Sequence, residues 1–307
     1  MAPARRLIQH VSRWLRIAGA LAALLLLLLA PSLRNYYLPR RTVRIVPDLR
    51  YLPDSVNPRH VLDLYLPTLT VGPWPVAVFV HGGYWQPQDR RFFQPLTGLH
   101  GCVGVALANA GVATAVIGYR QFPEAPSLAA ALDDVASALR YVVDHIEEYG
   151  GDRRRIFVIG HSAGGLLTQV LAVGRELHER GRLSPSDFRG FVSLGGLSDL
   201  PAFLPQVDGS LAQRIRQSAG DASGLLRFSP RLQLRAEHPP LLLVVGDREV
   251  PSLLAQHRAM SAALHSVGGD FKTVEVAGLD HMDLVMKLAQ RESLVKNEIL
   301  NFIVRHR

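Results

Sequence analysis

Residues 156–164 (IFVIGHSAG) join a short apolar run to a Gly-x-Ser-x-Gly turn, and a helical pattern follows them. Such an apolar run is typical of a strand that is buried on both faces. In a sharp strand-to-helix turn of this form, the serine takes a strained backbone conformation that exposes its hydroxyl above the sheet. The glycines are required because side chains there would collide with the neighbouring strand and helix. The pattern predicts that Ser162 is a catalytic nucleophile; a glycine-rich turn with a polar cap is the alternative.

Short strands and amphipathic helices alternate on both sides of this turn. The apolar or alternating runs that indicate strands are 61–66, 76–80, 112–117, 191–194, 241–245 and 271–276. The helical patterns are 127–148, 164–177, 252–267 and 282–303, the last in one or two pieces. Alternation of this kind argues for a parallel sheet covered by helices on both faces. The expected fold class is therefore α/β with a mostly parallel sheet.

The length of 307 residues suits one α/β domain with an additional segment, because α/β folds often run to about 250 residues as one domain. We assign residues 45–307 to that domain. Residues 199–237 separate two predicted strands and are longer than a single crossover helix needs. Since a structureless loop of that length is uncommon in a compact domain, they indicate a small cap insertion with one or two short helices. An ordinary surface insertion is the alternative.

The excess positive charge lies in the first 44 residues. The chain has a net charge of +8, but residues 1–44 contain eight arginines and no acidic residue, which leaves 26 basic and 26 acidic side chains in the remainder. A neutral body offers no face that neutralises phosphates, so we expect no nucleic-acid binding. The single cysteine, Cys102, argues against a disulfide scaffold and a cysteine-based metal cluster.

The same N-terminal segment contains an apolar run. Residues 17–30 lack charged and hydrogen-bonding side chains and are flanked by arginines. Counted from Trp14 to Leu33, the run reaches the length of about 20 residues that a spanning helix needs only if the Arg16 side chain extends to the lipid headgroups. We therefore expect residues 1–44 to form a single-pass membrane anchor; a cleaved signal, giving a secreted or periplasmic protein, and a buried helix are the alternatives. Residues 39–58, rich in proline and arginine, are interpreted as a linker.

A second glycine-containing motif follows the predicted strand 76–80. It reads His81-Gly82-Gly83-Tyr84-Trp85. Acyl transfer develops negative charge on the carbonyl oxygen, which backbone N–H groups can stabilise if they already point at it. The candidate donors are the amides of Gly83 and Tyr84, with that of Ala163 after the nucleophile. A tight glycine turn with His81 as a structural hydrogen-bonding residue is the alternative.

A general base and its acidic partner are expected at later strand ends. Asp247 follows the strand 241–245 and is the predicted acid, with Glu249 in reserve. A carboxylate at this place can orient a histidine and stabilise its protonated form. His281 follows the strand 271–276 and is the predicted base, because it completes the chain order serine, acid, histidine.

Together these motifs resemble those of α/β-hydrolases of the esterase group that carry an HGGxW oxyanion motif. The resemblance covers about residues 60–305 and includes HGGYW, YRQFP, GHSAGG, GDREVP and DHMDL. Kynurenine formamidases share HGGYWQ, and isoprenylcysteine methylesterases, which are membrane-anchored, have counterparts of YRQFP and of the FSP triplet at 228–230. The resemblance implies the triad Ser162, Asp247 and His281. In one departure, Gly118 stands where related sequences often have an aspartate.

The expected function is that of a serine hydrolase that cleaves a carboxylic ester through an acyl-enzyme, with no metal or cofactor. Tyr84, Trp85, Phe92 and Phe93, with the cap, are expected to form a mainly apolar pocket for a small lipophilic ester or amide. A carboxylesterase or an isoprenylcysteine methylesterase-like enzyme is favoured. A kynurenine formamidase-like amide hydrolase is the alternative, followed by a peptidase or lipase and by a non-catalytic, membrane-tethered binding protein.

Overall fold

The computed structural model of the chain describes residues 33–174 and 183–307, together with Ala30 and Arg180. Its strands are β1 (Val43–Arg50), β2 (Val61–Pro67), β3 (Trp74–Val80), β4 (Ala113–Ile117), β5 (Gly151–His161), β6 (Gly190–Leu194), β7 (Leu241–Gly246) and β8 (Phe271–Val276). They form one sheet in the order β1-β2-β4-β3-β5-β6-β7-β8. Only the pairs β1–β2 and β2–β4 are antiparallel. The predicted α/β fold with a mostly parallel sheet is confirmed.

Helices cover both faces of this sheet. They are α1 (Gln94–Thr97), α2 (Gly101–Asn109), α3 (Leu128–His145), α4 (Ala163–Val173), α5 (Leu200–Phe203), α6 (Gly209–Ala219), α7 (Ala222–Arg227), α8 (Pro230–Gln233), α9 (Pro251–Val267), α10 (Asp283–Met286) and α11 (Leu294–Arg305). Successive side chains of a strand point to opposite faces. In β3, Val78 therefore belongs to the apolar layer that includes α3 and α4, and Phe79 belongs to the layer on the other face that includes α2 and α11. These two apolar layers fix the positions of the strand ends.

Helix α3 shows how local sequence signals produce an element. Ser127 accepts a hydrogen bond from the Ala130 N–H at 3.1 Å and so caps the N-terminus. Leu132, Val135 and Leu139 recur at spacings of three and four and are fully buried against the sheet. The predicted helix at 127–148 is confirmed in α3, which continues as a short 3₁₀ helix to Tyr149.

The interpretation of residues 39–58 as a linker is wrong, because this segment contains β1. Val43 lies opposite Pro67 of β2, and a bulge interrupts the register between Val46 and Leu49. An edge strand has only one neighbour and much of its surface faces solvent, so it lacks a continuous apolar run. The folded body also begins before residue 45, since Tyr36 in the turn Leu33–Tyr37 is only 3% exposed.

Helix α2 was not predicted from the sequence. All residues from Gly101 to Ala108 are buried, so the helix has no polar face and no amphipathic period. Its close approach to β2 depends on Gly104, where an added Cβ would lie 2.4 Å from the Tyr65 ring. The pattern at 282–303 forms two helices, α10 and α11. The pattern at 164–177 forms α4 as far as Val173, and its positions 175–177 lie outside the described residues.

The glycine that departs from the related sequences has a packing reason. A Cβ at Gly118 would lie 2.5 Å from the Arg59 carbonyl oxygen. The Gly118 N–H donates to the Val61 carbonyl at 2.8 Å, so the two backbones touch directly. Arg120 still has a carboxylate partner, because its guanidinium makes a two-point contact with Asp134 of α3 at 2.7 and 2.8 Å.

The predicted membrane anchor lies almost entirely outside the described residues. Of the apolar run at 17–30, the structure describes only Ala30. Within the part of the chain that is described, no helix combines the length and the apolar character needed to cross a bilayer. The anchor therefore stays a prediction from the sequence.

Residues 199–237 form a compact helical segment, hereafter the cap, that contains α5 to α8. Asp199 ties its two ends together, since one carboxylate oxygen accepts from the Ala202 N–H at 3.0 Å and the other accepts from Arg231 Nε at 2.9 Å. Asp208 caps α6 by accepting from the N–H groups of Ser210 and Leu211, each at 3.0 Å. These contacts hold the cap as an ordered unit rather than a loose loop.

Candidate active site

A cavity of about 570 Å³ lies between the cap and the carboxyl ends of the parallel strands. Ser162, Glu249 and His281, which follow β5, β7 and β8, line it together with Trp85. The apolar side chains on its cap side are Phe203, Val207 and Leu211. The sheet topology explains the convergence, because parallel strands present all their carboxyl ends at one edge.

Ser162 lies at a strained turn between β5 and α4. Its φ of 56° and ψ of −121° belong to a region that residues with a side chain rarely adopt. The turn needs glycines beside it: a Cβ at Gly164 would lie 2.1 Å from the Val80 carbonyl oxygen, and one at Gly160 would lie 2.2 Å from the Gly164 carbonyl oxygen. The Ser162 N–H donates to the Leu194 carbonyl at 2.9 Å. The fold thus fixes the position from which the hydroxyl reaches the cavity.

His281 is paired with Glu249. The ring Nδ1 and the Glu249 Oε2 are 2.7 Å apart, and the Glu249 side chain is fully buried. The second carboxylate oxygen accepts from the Val250 N–H at 2.9 Å. A carboxylate can only accept, so Nδ1 carries the proton, and Nε2 of the neutral ring keeps a lone pair. This is the tautomer that a general base requires.

The prediction that Asp247 orients His281 is wrong in this structure. The Asp247 N–H donates to the Val276 carbonyl at 3.0 Å and prolongs the pairing of β7 with β8, which leaves the side chain exposed. Its carboxylate accepts from the Gly278 N–H at 2.7 Å instead. Two residues later the chain has turned inward, so the reserve candidate Glu249 occupies the buried position beside His281.

Gly195, after β6, makes room for this pair. A Cβ there would lie 3.1 Å from both the Glu249 Oε2 and the His281 Nδ1. Its φ of 56° is also one that favours glycine. No sequence pattern predicts this role for Gly195, because a glycine after a strand has no chemical signature of its own.

His161 supports His281 from the side of the sheet. Its Nε2 donates to the His281 carbonyl at 3.0 Å, and the two rings lie 4.6 Å apart. Burial, together with the nearby His281, holds the pKa of His161 well below its usual range, so this ring is neutral. His161 therefore fixes the backbone of His281 and is not the base.

The loop that carries two of the predicted oxyanion residues lies beside Ser162. The segment His81–Trp85, hereafter the glycine loop, approaches so closely that a Cβ at Gly82 would lie 2.8 Å from the Ser162 Cβ. Ala163 is the first residue of α4, and the first N–H groups of a helix have no partner within it. Tyr84 and Trp85 both have positive φ, at 53° and 52°, which turns the loop toward the cap. The donor roles of Gly83, Tyr84 and Ala163 stay predictions.

The glycine loop is fastened to the cap by two side chains. The buried indole of Trp85 donates from Nε1 to Ser218 Oγ at 2.9 Å. The half-exposed Tyr84 donates from its hydroxyl to Asp208 Oδ2 at 3.3 Å. Both bonds join the glycine loop to the cap, so the position of the cap is coupled to that of the glycine loop.

Phe92 and Phe93, predicted as pocket residues, do not line the cavity. Phe93 is 55% exposed, and Phe92 packs beside it against the core on the α2 side of the sheet. The preceding arginine explains this path, since Arg91 Nε donates to the buried Asp63 of β2 at 2.7 Å. The ion pair draws the chain toward the β1–β2 edge and away from Ser162.

Metal-binding geometry is not found in the described ranges 33–174 and 183–307, where no three His, Cys, Asp or Glu side chains are grouped to hold an ion. Cys102 is fully buried in α2, and burial raises the pKa of its thiol to about 12. Its thiol is therefore protonated at neutral pH, and the thiolate that could bind a metal or act as a nucleophile is not formed.

Buried neutral histidines near the site predict a loss of stability in acid. Burial lowers the pKa of His81 to about 4, and it holds the pKa values of His100 and His161 well below their usual range. Between pH 6.5 and 4 the unfolded chain binds protons that the folded chain does not. The free energy of unfolding therefore keeps the full contribution of these neutral histidines above pH 6.5. It falls as the pH drops below 6.5, by up to about 1.4 kcal/mol per histidine and pH unit.

Urea unfolding at constant ionic strength from pH 8 to pH 5 measures this effect. We expect a flat free energy of unfolding between pH 8 and 7 and a steep decline below 6.5. His145→Gln is the control, because the side chain of His145 is 44% exposed and its removal should leave the decline caused by the buried histidines in place. A free energy of unfolding that stays constant down to pH 5 would contradict the prediction.

Comparison with known proteins yields a family match and named relatives. The family model BD-FAE matches residues 62–264. Over 252 residues the chain is 31% identical to a probable isoprenylcysteine alpha-carbonyl methylesterase of Arabidopsis thaliana, an alignment that covers 75% of this chain and 50% of the relative. It is 25% identical over 247 residues to a kynurenine formamidase of Danio rerio, covering 79% of this chain and 77% of that one.

The extent of these matches differs between sequence and structure. The chain spans about half the length of the Arabidopsis relative. The crystal structure of esterase B from Lactobacillus rhamnosis superposes with a TM-score of 0.73 at 21% identity, covering 97% of this chain and 93% of that one. At this identity the superposition establishes the shared α/β-hydrolase fold.

Proposed function

Because the chain belongs to the BD-FAE family, whose model matches residues 62–264, we propose that it is a serine hydrolase that cleaves a carboxylic ester. The observation that carries this proposal is the pairing of His281 with the buried Glu249 in the same cavity as Ser162. A nucleophile, a base and an acid that orients the base are the parts that acyl transfer through a covalent intermediate needs.

In the first half of the reaction, Ser162 Oγ attacks the ester carbonyl carbon while His281 Nε2 takes the hydroxyl proton. The carbonyl π electrons move to oxygen, and the N–H groups of Gly83, Tyr84 and Ala163 stabilise the resulting oxyanion. Glu249 stabilises the imidazolium. The oxyanion then collapses, the bond to the leaving oxygen breaks, and His281 returns the proton to the leaving alcohol.

In the second half, water replaces the alcohol. His281 removes a proton from the water as its oxygen attacks the acyl-enzyme carbonyl. Collapse of this second oxyanion breaks the bond to Ser162 Oγ, which regains its proton from His281, and the carboxylic acid leaves. His281 accepts and returns the proton in every proton transfer of the cycle.

The lining of the cavity favours a lipophilic, uncharged substrate. Apolar side chains dominate its cap side, and Leu197, Pro251 and Leu253 outside the cap also line it. Among the described residues that line it, there is no lysine or arginine to pair with a carboxylate. These properties support a neutral ester with an apolar group, such as an isoprenylcysteine methyl ester, over the zwitterionic N-formylkynurenine.

The amide-hydrolase alternative rests on the similarity to the Danio rerio kynurenine formamidase and on the resemblance of residues 81–86 (HGGYWQ) to the motif of kynurenine formamidases. Both reactions use the same nucleophile, base and oxyanion donors, and they differ in the leaving group that His281 protonates. The pocket contacts, and not the catalytic residues, therefore separate the two substrates.

A side-by-side measurement of kcat/KM tests the proposal. The substrates are a short-chain p-nitrophenyl ester, a prenylcysteine methyl ester and N-formylkynurenine, with Ser162→Ala as the blank. We expect a preference of a hundredfold or more for the prenylcysteine ester, about 2.7 kcal/mol of transition-state discrimination. A hundredfold preference for N-formylkynurenine instead would favour the formamidase reaction. No turnover of any of the three substrates would refute the proposal. A fragment used here should begin at Leu33, since a start near residue 44 would cut into β1.

We further propose that the part of residues 1–44 that precedes Leu33 tethers the enzyme to a membrane. The apolar run at 17–30 and its flanking arginines support this, as does a lipophilic substrate. The full chain should stay with the membrane fraction after extraction at high pH, whereas the fragment from Leu33 should be released. Release of the uncleaved full chain would contradict the tether, and loss of its first residues would indicate a cleaved signal.

A further inference from the structure

The glycine loop is held from beneath by Gln121, in the segment that follows β4. The side chain is buried, and its Nε2 donates to the Gly82 carbonyl and to the Tyr119 hydroxyl, both at 3.0 Å. Its Oε1 accepts from the Gln88 N–H at 3.1 Å. One carboxamide thus contacts the glycine loop, the chain that leaves it, and the strand end beside it.

The orientation of this amide follows from its partners. Nε2 faces an oxygen of Gly82 that can only accept, and Oε1 faces the N–H of Gln88, which can only donate. A flipped amide would oppose like groups at both ends. The Tyr119 hydroxyl uses its own proton to donate to the His81 carbonyl at 2.6 Å, so it receives one from Gln121.

These bonds fix two consecutive peptide planes of the glycine loop. In a trans peptide the carbonyl and the following N–H point in opposite directions. Since Gln121 holds the Gly82 carbonyl, the Gly83 N–H points away from Gln121. The amide also fills the space beside Gly83, where a Cβ would lie 2.2 Å from the Gln121 Oε1. Rotation of this peptide would break the bond from Gln121 and the bond from His81 Nδ1, which donates to the same Gly82 carbonyl at 2.8 Å.

We propose that Gln121 is a positioning residue that aims the Gly83 N–H at the carbonyl oxygen of the substrate. The inference rests on the proposed hydrolase function and deepens it. Gln121 itself does not line the cavity that contains Ser162, so it acts through the Gly82–Gly83 peptide. A donor that is already aimed stabilises the oxyanion without reorganisation, and its benefit appears in the transition state rather than in substrate binding.

Gln121→Leu in the full chain tests this role, because leucine fills similar space without either polar contact. We expect kcat for a p-nitrophenyl ester to fall about 10–100-fold, less than the loss of a whole donor, with KM within about threefold. An aryl trifluoromethyl ketone, which forms a tetrahedral oxyanion on Ser162, reports the same change. Its inhibition constant should rise by the factor by which kcat/KM falls.

Two further variants separate positioning from stability. Gln256→Leu is the matched control, since Gln256 is a buried glutamine whose Oε1 accepts from the Ser198 and Asp199 N–H groups at 3.0 and 2.7 Å, away from the glycine loop. It should lower the melting temperature but leave kcat and the inhibition constant within threefold. Tyr119→Phe removes the donor to the His81 carbonyl and should lower kcat in the same way, less than additively with Gln121→Leu.

The outcomes are distinct. Wild-type kcat in Gln121→Leu, or a loss of kcat without a matching rise in the inhibition constant, would overturn the inference while leaving the hydrolase function intact. If Gln121→Leu does not fold, Tyr119→Phe decides by the same two readouts. A wild-type chain that hydrolyses no ester and reacts with no fluorophosphonate would overturn the proposed function and the inference with it.

Discussion

Substituting glutamine for Glu249 is expected to lower kcat about 10⁴-fold with little change in KM. The Val250 N–H needs an acceptor at the side-chain oxygen Oε1 of residue 249, which it approaches to 2.9 Å. The amide nitrogen of the glutamine would therefore face His281 Nδ1, where the carboxylate oxygen now lies at 2.7 Å. The ring must then accept at Nδ1 and carry its proton on Nε2, so it cannot take the proton of Ser162.

Asp247→Asn is the matched control, because it makes the same chemical change two residues away. The Asp247 carboxylate is exposed and accepts from the Gly278 N–H, a bond that the asparagine oxygen can keep. We expect its kcat to stay within about threefold of the wild type, since surface changes of this kind are small. A large loss in Asp247→Asn together with near-normal activity in Glu249→Gln would return the acid role to Asp247.

The second large effect is expected for Ser162→Ala. Removing the nucleophile should lower kcat by about 10⁴–10⁶-fold and abolish labelling by a fluorophosphonate. The residual rate comes from the oxyanion donors and from binding alone. The melting temperature should change by no more than a few degrees, because the alanine keeps the Cβ and the N–H bond to Leu194.

Ser162→Gly separates chemistry from backbone strain. Glycine tolerates the φ of 56° and ψ of −121° that are costly for serine, so the variant should be inactive and more stable by about 1–2 kcal/mol. For a domain of this size that corresponds to a rise of roughly 2–8 °C in melting temperature. Turnover retained by either variant would show that Ser162 is not the nucleophile, and a less stable glycine variant would contradict the strain.

Local sequence patterns were sufficient to predict the elements whose structure depends on residues adjacent in the chain. The apolar run before Ser162 and the glycines beside it predicted a strand, a turn and a helix, and the structure has β5, a strained turn and α4 in that order. His281 followed from its place after the last strand. These residues are determined locally, because a strand buried on both faces and a turn without room for side chains restrict the sequence at every position.

Contacts between distant segments decided the rest. Asp247 and Glu249 lie two residues apart in one loop, and only the pairing of β7 with β8 turns the first outward and the second toward His281. The edge strand β1 has no apolar run because it has a single neighbour, and α2 has no amphipathic period because every side is buried.

The course of the chain after the glycine loop was decided in the same way. An ion pair between Arg91 and Asp63, 28 positions apart in sequence, draws Phe92 and Phe93 from the pocket. The sequence by itself determined that Ser162, the two candidate acids and His281 follow strand ends, because burial and steric limits act on neighbouring residues. Only the tertiary structure decided which carboxylate meets the histidine and which side chains line the cavity, because those choices depend on strand pairing and ion pairs between segments that sequence spacing does not relate.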